Sequence, residues 1–163
     1  MSVNRSILPG APGQQWMKSK GFSPLTSHFS LLYWEDMHLG VIGIGIDLVE
    51  IDRIQRAIDR TGMKFLARVF TPCERRLCGG RAWRLAGRFA AKEALLKAAG
   101  TGLRGFSWQD IEILTDSFGA PIVTCHGNFA AVLSGQGVSH IHLSISHSRD
   151  FAVAQAVLEG DDG

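Results

Sequence analysis

The sequence predicts a single α+β domain. Three observations carry this. Helical patterns crowd its first half, one long helix-favouring run spans 81–100, and two pairs of short strand-like runs, each joined by a turn, lie beyond it. At 163 residues the chain is long enough to bury a real core. Hydrophobic residues make up 45% and charged ones 20%, an ordinary balance for a soluble globular protein.

The elements follow in order. In "VIGIGIDLVEIDRI" (41–54), residues 40–47 read as a buried strand, because Val41, Ile42, Ile44, Ile46, Leu48 and Val49 are apolar around Gly43 and Gly45. Ile51, Ile54 and Ile58 then recur as the apolar stripe of a helix that Gly62 stops. "MKFLARVF" reads as a short helix. Thr71-Pro72-Cys73-Glu74 opens another, with an N-cap, a proline at the first position and an acid at the third. Gly79-Gly80 breaks it. The run 81–100 is the strongest helix, rich in Ala, Leu, Lys, Arg and Glu, with Gly100 at its C-terminus. Strands at 111–116 and 121–125 flank the turn Ser117–Ala120. "GNFAAVLSGQGV" is a helix with a glycine stop. Strands 141–147 and 151–159 are joined by Ser148-Arg149-Asp150.

Residues 1–36 hold Pro9, Pro12, Pro24, several glycines and many serines, without a basic region leading into a long apolar run. They read as a disordered extension or an upstream mis-start, with the working domain covering 37–163 from near Met37. Cys73, Cys78 and Cys125 follow no metal or disulfide spacing and read as reduced thiols of a cytoplasmic protein. No apolar run approaches the ~20 residues that span a bilayer, so no membrane partner is expected. A net charge of +2 gives no global field for nucleic acid.

Several positions carry chemistry. Asp47 sits inside an apolar run, where a lone carboxylate must be paired, protonated or metal-bound. It also reads as an N-cap for a helix starting near Val49 or Glu50. On the long helix Ala86, Ala90, Glu93 and Lys97 share one face: small, small, acid, base. The small residues let another backbone or a ligand approach, and Glu93–Lys97 taken alone is an exposed ion pair. Gly43 and Gly45 are too few for a dinucleotide fingerprint. His147 ends "SISHSRD" beside Ser144, Ser146 and Ser148. It reads as an edge residue or as half of a serine–histidine pair, although no nucleophile elbow is present. Arg53, Arg56 and Arg60 form a basic row, either a solvated face or a docking stripe for an acidic partner.

Three stretches, "GIGIDLVEIDRI" (43–54), "GRFAAKEALLKAAGTG" (87–102) and "LSISHSRDFAVAQAV" (143–157), closely resemble the holo-acyl-carrier-protein synthases, the short 4′-phosphopantetheinyl transferases. "FTPCE" (70–74) and "WQDIEIL" (108–114) resemble that family's connecting segments, so the resemblance runs from about Gly40 to Leu158. It implies the phosphopantetheinyl transferase fold, an antiparallel sheet with a long helix packed against it, in a homotrimer whose sites are shared between adjacent subunits. It implies transfer of phosphopantetheine from coenzyme A to a serine of apo acyl carrier protein, with release of 3′,5′-ADP, in fatty-acid (lipid) biosynthesis. Asp47 and Glu93 match the family's Mg²⁺ ligands, and Mg²⁺ suits a few carboxylates, phosphates and waters. Lys97 would face the pyrophosphate and His147 the nucleotide end of coenzyme A, while Arg88 and Lys92 either bind its phosphates or support the helix. Glu93, directly or through a metal-bound water, is the candidate base. Acyl carrier proteins are acidic, so Arg53, Arg56 and Arg60 become the docking face. A metal-dependent hydrolase and a non-enzymatic trimeric binder are the rivals.

Overall fold

In the computed structural model residues 39–161 are described; the expectations for residues 1–36 and for a start at Met37 lie outside them. Strand β1 (Leu39–Glu50) leads into helices α1 (Ile51–Thr61), α2 (Met63–Val69), α3 (Pro72–Cys78) and the long α4 (Ala82–Ala98). A short 3-10 turn at Trp108–Asp110 precedes hairpin strands β2 (Ile111–Thr115) and β3 (Pro121–Cys125). Helix α5 (Gly127–Gly135) and strands β4 (Val138–His147) and β5 (Phe151–Asp161) complete the domain. The α+β class holds, with one antiparallel sheet in the order β1-β5-β4 and a second formed by β2-β3.

Local signals account for most of these elements. Ile54 is buried on α1, which ends at Gly62 with φ +51. Thr71 and Glu74 close a reciprocal capping box with Pro72 just inside α3. Helix α4 ends in a Schellman motif: the Gly100 N–H donates to the Lys97 carbonyl and the Thr101 N–H to that of Leu96, with Gly100 at φ +68. In the hairpin turn the Asp116 carboxylate accepts the N–H groups of Phe118 and Ala120.

Two expectations about β1 are corrected. The strand continues through Asp47 to Glu50, and α1 starts at Ile51 without a side-chain cap, so Asp47 caps nothing. Nor is β1 buried on both sides. Ile44, Ile46 and Leu48 are each about 61% exposed within the chain, because the apolar run alternates between two faces. Gly43, Gly45, Asp47 and Val49 form the other face, alongside Leu158, Ala156, Ala154 and Ala152 of β5. Helix α4 packs onto that face, and the core lies between them: Ala90, Ala91, Ala94, Leu95, Ala154, Ala156 and Leu158 are all buried.

The glycines let strand and helix approach backbone to backbone. A Cβ at Gly43 would overlap the Ala98 carbonyl oxygen, and one at Gly45 the Ala94 carbonyl oxygen. Gly45→Ala must therefore push α4 off the sheet. We expect a stability loss of at least about 2 kcal/mol, in the range for overpacking a tight core, read from urea unfolding at an unchanged m-value.

Candidate active site

The close approach of β1 to α4 sets the chemistry. One residue pair beyond Gly45, Asp47 meets the C-terminal half of the helix. The Lys97 Nζ donates to Asp47 Oδ1 at 2.8 Å and to the Ile46 carbonyl at 3.0 Å. The Asp47 side chain is 16% exposed and that of Lys97 52%, so the pair lies at the mouth of the helix–strand seam. Glu93 stands one turn before Lys97 on the same helix face. Burial first, and then the neighbouring Asp47 carboxylate, push the Glu93 carboxyl above its usual range; Lys97 and Arg53 pull it back. The ion pair expected between Glu93 and Lys97 is replaced by one between Lys97 and Asp47. The β1 backbone approaches α4 at Ala94 and Ala98, not at Ala86 and Ala90 of the face expected to admit one.

His147 lies at the other end of α4. It faces the same side of the sheet as Asp47, and its ring stacks on Trp83 from the first turn of the helix, with centroids 4.7 Å apart. Ten residues of helix, roughly 15 Å, separate Trp83 from Glu93, so one chain does not bring His147 to the two carboxylates. No serine–histidine pair forms with the neighbouring serines. Ser146 points to the opposite face of the sheet, and Ser148 Oγ accepts the Phe151 N–H at 3.2 Å. The stack was invisible in the sequence, where Trp83 carries no periodic or motif signal.

Arg88 and Lys92 require a correction. Both are buried in the core rather than presented to a ligand. Lys92 Nζ spends its three donors on Glu74 Oε2, the Val69 carbonyl and the Trp108 carbonyl. Arg88 donates to the carbonyls of Ile113 and Arg84. Lys92 sits about a third of a turn, and Arg88 nearly half a turn, away from the Glu93–Lys97 face. Burial lowers the Lys92 pKa, and the Glu74 carboxylate opposes that shift.

The basic row does share a surface. Arg53, Arg56 and Arg60 line an open groove of about 570 Å³ whose apolar lining includes Phe65 and Phe89. Arg56 also lies 3.6 Å from Glu50 in an exposed pair. The aromatic lining is a feature that the charge pattern alone did not reveal.

Comparison with known proteins gives this geometry its context. A model described as the 4′-phosphopantetheinyl transferase superfamily matches residues 43–156. A holo-[acyl-carrier-protein] synthase of Solidesulfovibrio magneticus is 51% identical over 120 residues, covering 72% of this chain and 98% of its own. Among solved structures, a holo-(acyl-carrier-protein) synthase from Bacillus anthracis in complex with CoA (3′,5′-ADP) superposes with a TM-score of 0.62 at 42% identity, over 74% of this chain and 97% of that one. The Plasmodium yoelii acyl carrier protein synthase with ADP bound gives 0.71 at 33% identity, over 77% and 100%. No helix among the described residues is long and apolar enough to cross a membrane. With the family match spanning both the Asp47 strand and the Glu93–Lys97 helix, the chain belongs to the 4′-phosphopantetheinyl transferase superfamily.

Proposed function

We propose that this chain is a Mg²⁺-dependent holo-[acyl-carrier-protein] synthase. It moves the 4′-phosphopantetheine arm of coenzyme A onto a serine hydroxyl of apo acyl carrier protein and releases 3′,5′-ADP. The observation that carries the reading is the meeting of Asp47, Glu93 and Lys97 at the mouth of the β1–α4 seam.

The donor set fits Mg²⁺. Two carboxylates close enough for one to raise the pKa of the other gain from a shared cation. Among the described residues no group of three or more His, Cys, Asp or Glu could hold a metal. A pair of oxygen donors suits an ion that keeps several waters and takes phosphate oxygens. Asp47 and Glu93 would hold it, and when bound it supplies Lewis-acid neutralisation of the pyrophosphate.

The chain's own groups do the rest. Lys97 uses two N–H donors on Asp47 and Ile46 and keeps a third for a phosphoryl oxygen, where its charge favours departure of 3′,5′-ADP. Glu93, directly or through a bound water, would take the serine proton as the hydroxyl attacks the pantetheine-bearing phosphorus. Arg53 borders both the docking groove and the Glu93 field, linking carrier binding to the site.

The apolar outer face of β1 supports a homotrimer. Ile44, Ile46 and Leu48 continue into Phe151 as an exposed apolar strip that a second copy would cover. A subunit boundary there also supports a shared site, because His147 stands far from the carboxylates of its own chain. Three free cysteines favour the cytoplasm.

An intact-mass assay with coenzyme A, Mg²⁺ and an apo acyl carrier protein tests the reading. A gain of one phosphopantetheine on the carrier, abolished by EDTA, is the expected result. Consumption of coenzyme A without that gain would favour a hydrolase instead. In the same assay Arg53→Glu should raise the KM for the carrier about tenfold or more by placing like charges together. The effect should shrink as salt rises from 50 to 500 mM.

A further inference from the structure

The Trp83–His147 stack has no role in the core and none in the chemistry described so far. Trp83 is 39% exposed, in the first turn of α4, and His147 is the exposed last residue of β4. Their rings lie 22° from parallel. The Arg84 guanidinium sits 5.0 Å from the Trp83 ring centroid and is itself anchored, its Nη1 donating to the Leu77 carbonyl at 3.1 Å. A braced guanidinium, an indole and an imidazole thus join the end of α3, the start of α4 and the end of β4.

We propose that Trp83 is a positioning residue that presents the His147 imidazole to an anionic oxygen at the nucleotide end of coenzyme A. The proposal rests on the functional reading above. An exposed histidine at a strand end is free to rotate about two side-chain bonds, and binding a phosphate must freeze them. The indole face fixes the ring plane beforehand. Stacking occupies the faces of the imidazole and leaves its two nitrogens, which lie on the edge, for a ligand. Arg84 places a positive charge beside the same indole.

Calorimetric binding of 3′,5′-ADP tests this, together with separate kcat and KM values for coenzyme A and carrier. Trp83→Ala should raise both the 3′,5′-ADP Kd and the coenzyme A KM about three- to tenfold, the range of one aromatic contact. The kcat and the carrier KM should stay unchanged. Trp83→Leu, which keeps apolar bulk without a π face, should behave like Trp83→Ala, whereas Trp83→Phe should restore most of the affinity. In a His147→Ala background Trp83→Ala should cost nothing more, because the two residues act through one contact. Losses that add in the double variant, or a Trp83→Leu variant that binds as wild type does, would overturn the assignment. A wild-type chain that neither transfers nor binds 3′,5′-ADP would instead sink the functional reading itself, and the ligand of the pair with it.

Discussion

Replacing Asp47 by alanine is expected to slow phosphopantetheine transfer by at least about a thousandfold. Neutralising charge on a transferring phosphoryl group is worth several kcal/mol, and each 1.4 kcal/mol is about tenfold in rate. Asp47→Asn keeps the shape and removes the charge, so it should lose nearly as much. Stability should hardly move. Lys97, the ionic partner of Asp47, is half exposed, and such a pair contributes less than about 1 kcal/mol after solvent screening. Rate and melting temperature are therefore expected to separate. The measurement is the intact-mass assay across a Mg²⁺ titration, with thermal unfolding in parallel. Undiminished transfer by Asp47→Ala would remove this residue from the metal site.

The opposite separation is expected at Glu74. Its carboxylate is fully buried and accepts from Lys92 Nζ at 2.8 Å, from the Thr71 N–H at 2.8 Å and from the Ile113 N–H at 3.0 Å. It thus ties α3, α4 and β2 together. Glu74→Ala leaves a buried ammonium with carbonyl partners only, and breaking such a pair costs about 3–5 kcal/mol. For a chain of this size that corresponds to a fall in Tm of roughly 10 °C. Without the carboxylate, the folded-state pKa of Lys92 drops further below the usual 10.5. Between the two values the unfolded chain then binds more protons than the folded one, so the stability of the variant rises with pH across that window. Urea unfolding of wild type and Glu74→Ala at several alkaline pH values checks both sign and size. The double variant Glu74→Leu/Lys92→Met should recover part of the loss, since it leaves no unpaired charge, though the Thr71 and Ile113 N–H groups still lack their acceptor.

The contrast between these two carboxylates shows which parts of the molecule were legible in the sequence. The helix stripe of Ile51, Ile54 and Ile58, the Thr71–Glu74 cap and the Gly100 terminus are local patterns, and they fold as read. Asp47 stands out because a charge inside an apolar run is costly without a purpose, whereas Glu93 and Lys97, taken alone an exposed pair, stand out only through the family resemblance. The fates of Lys92 and Arg88 could not be read the same way. Their helix positions look like those of Lys97, and only the packing of α3 and β2 decides that they turn inward. The outward face of β1 shows a similar limit: a continuous apolar run signals burial without naming what covers each side, and among the described residues of one chain nothing covers this one. The His147–Trp83 contact joins residues 64 positions apart, beyond any short-range periodicity.

The seam between β1 and α4 has a further consequence, for how the site tolerates sequence drift. Where Gly43 and Gly45 meet Ala94 and Ala98, no side chain stands between the two backbones. The separation of Asp47 from Lys97 is therefore set by peptide groups, which mutation cannot resize. Substitutions among the larger residues elsewhere around the helix, such as Leu85, Leu96 or Phe129, can shift the melting temperature without being transmitted to that separation. The chemistry is insulated from ordinary variation in the core, and its weakness is concentrated in two positions where even a methyl group is too much.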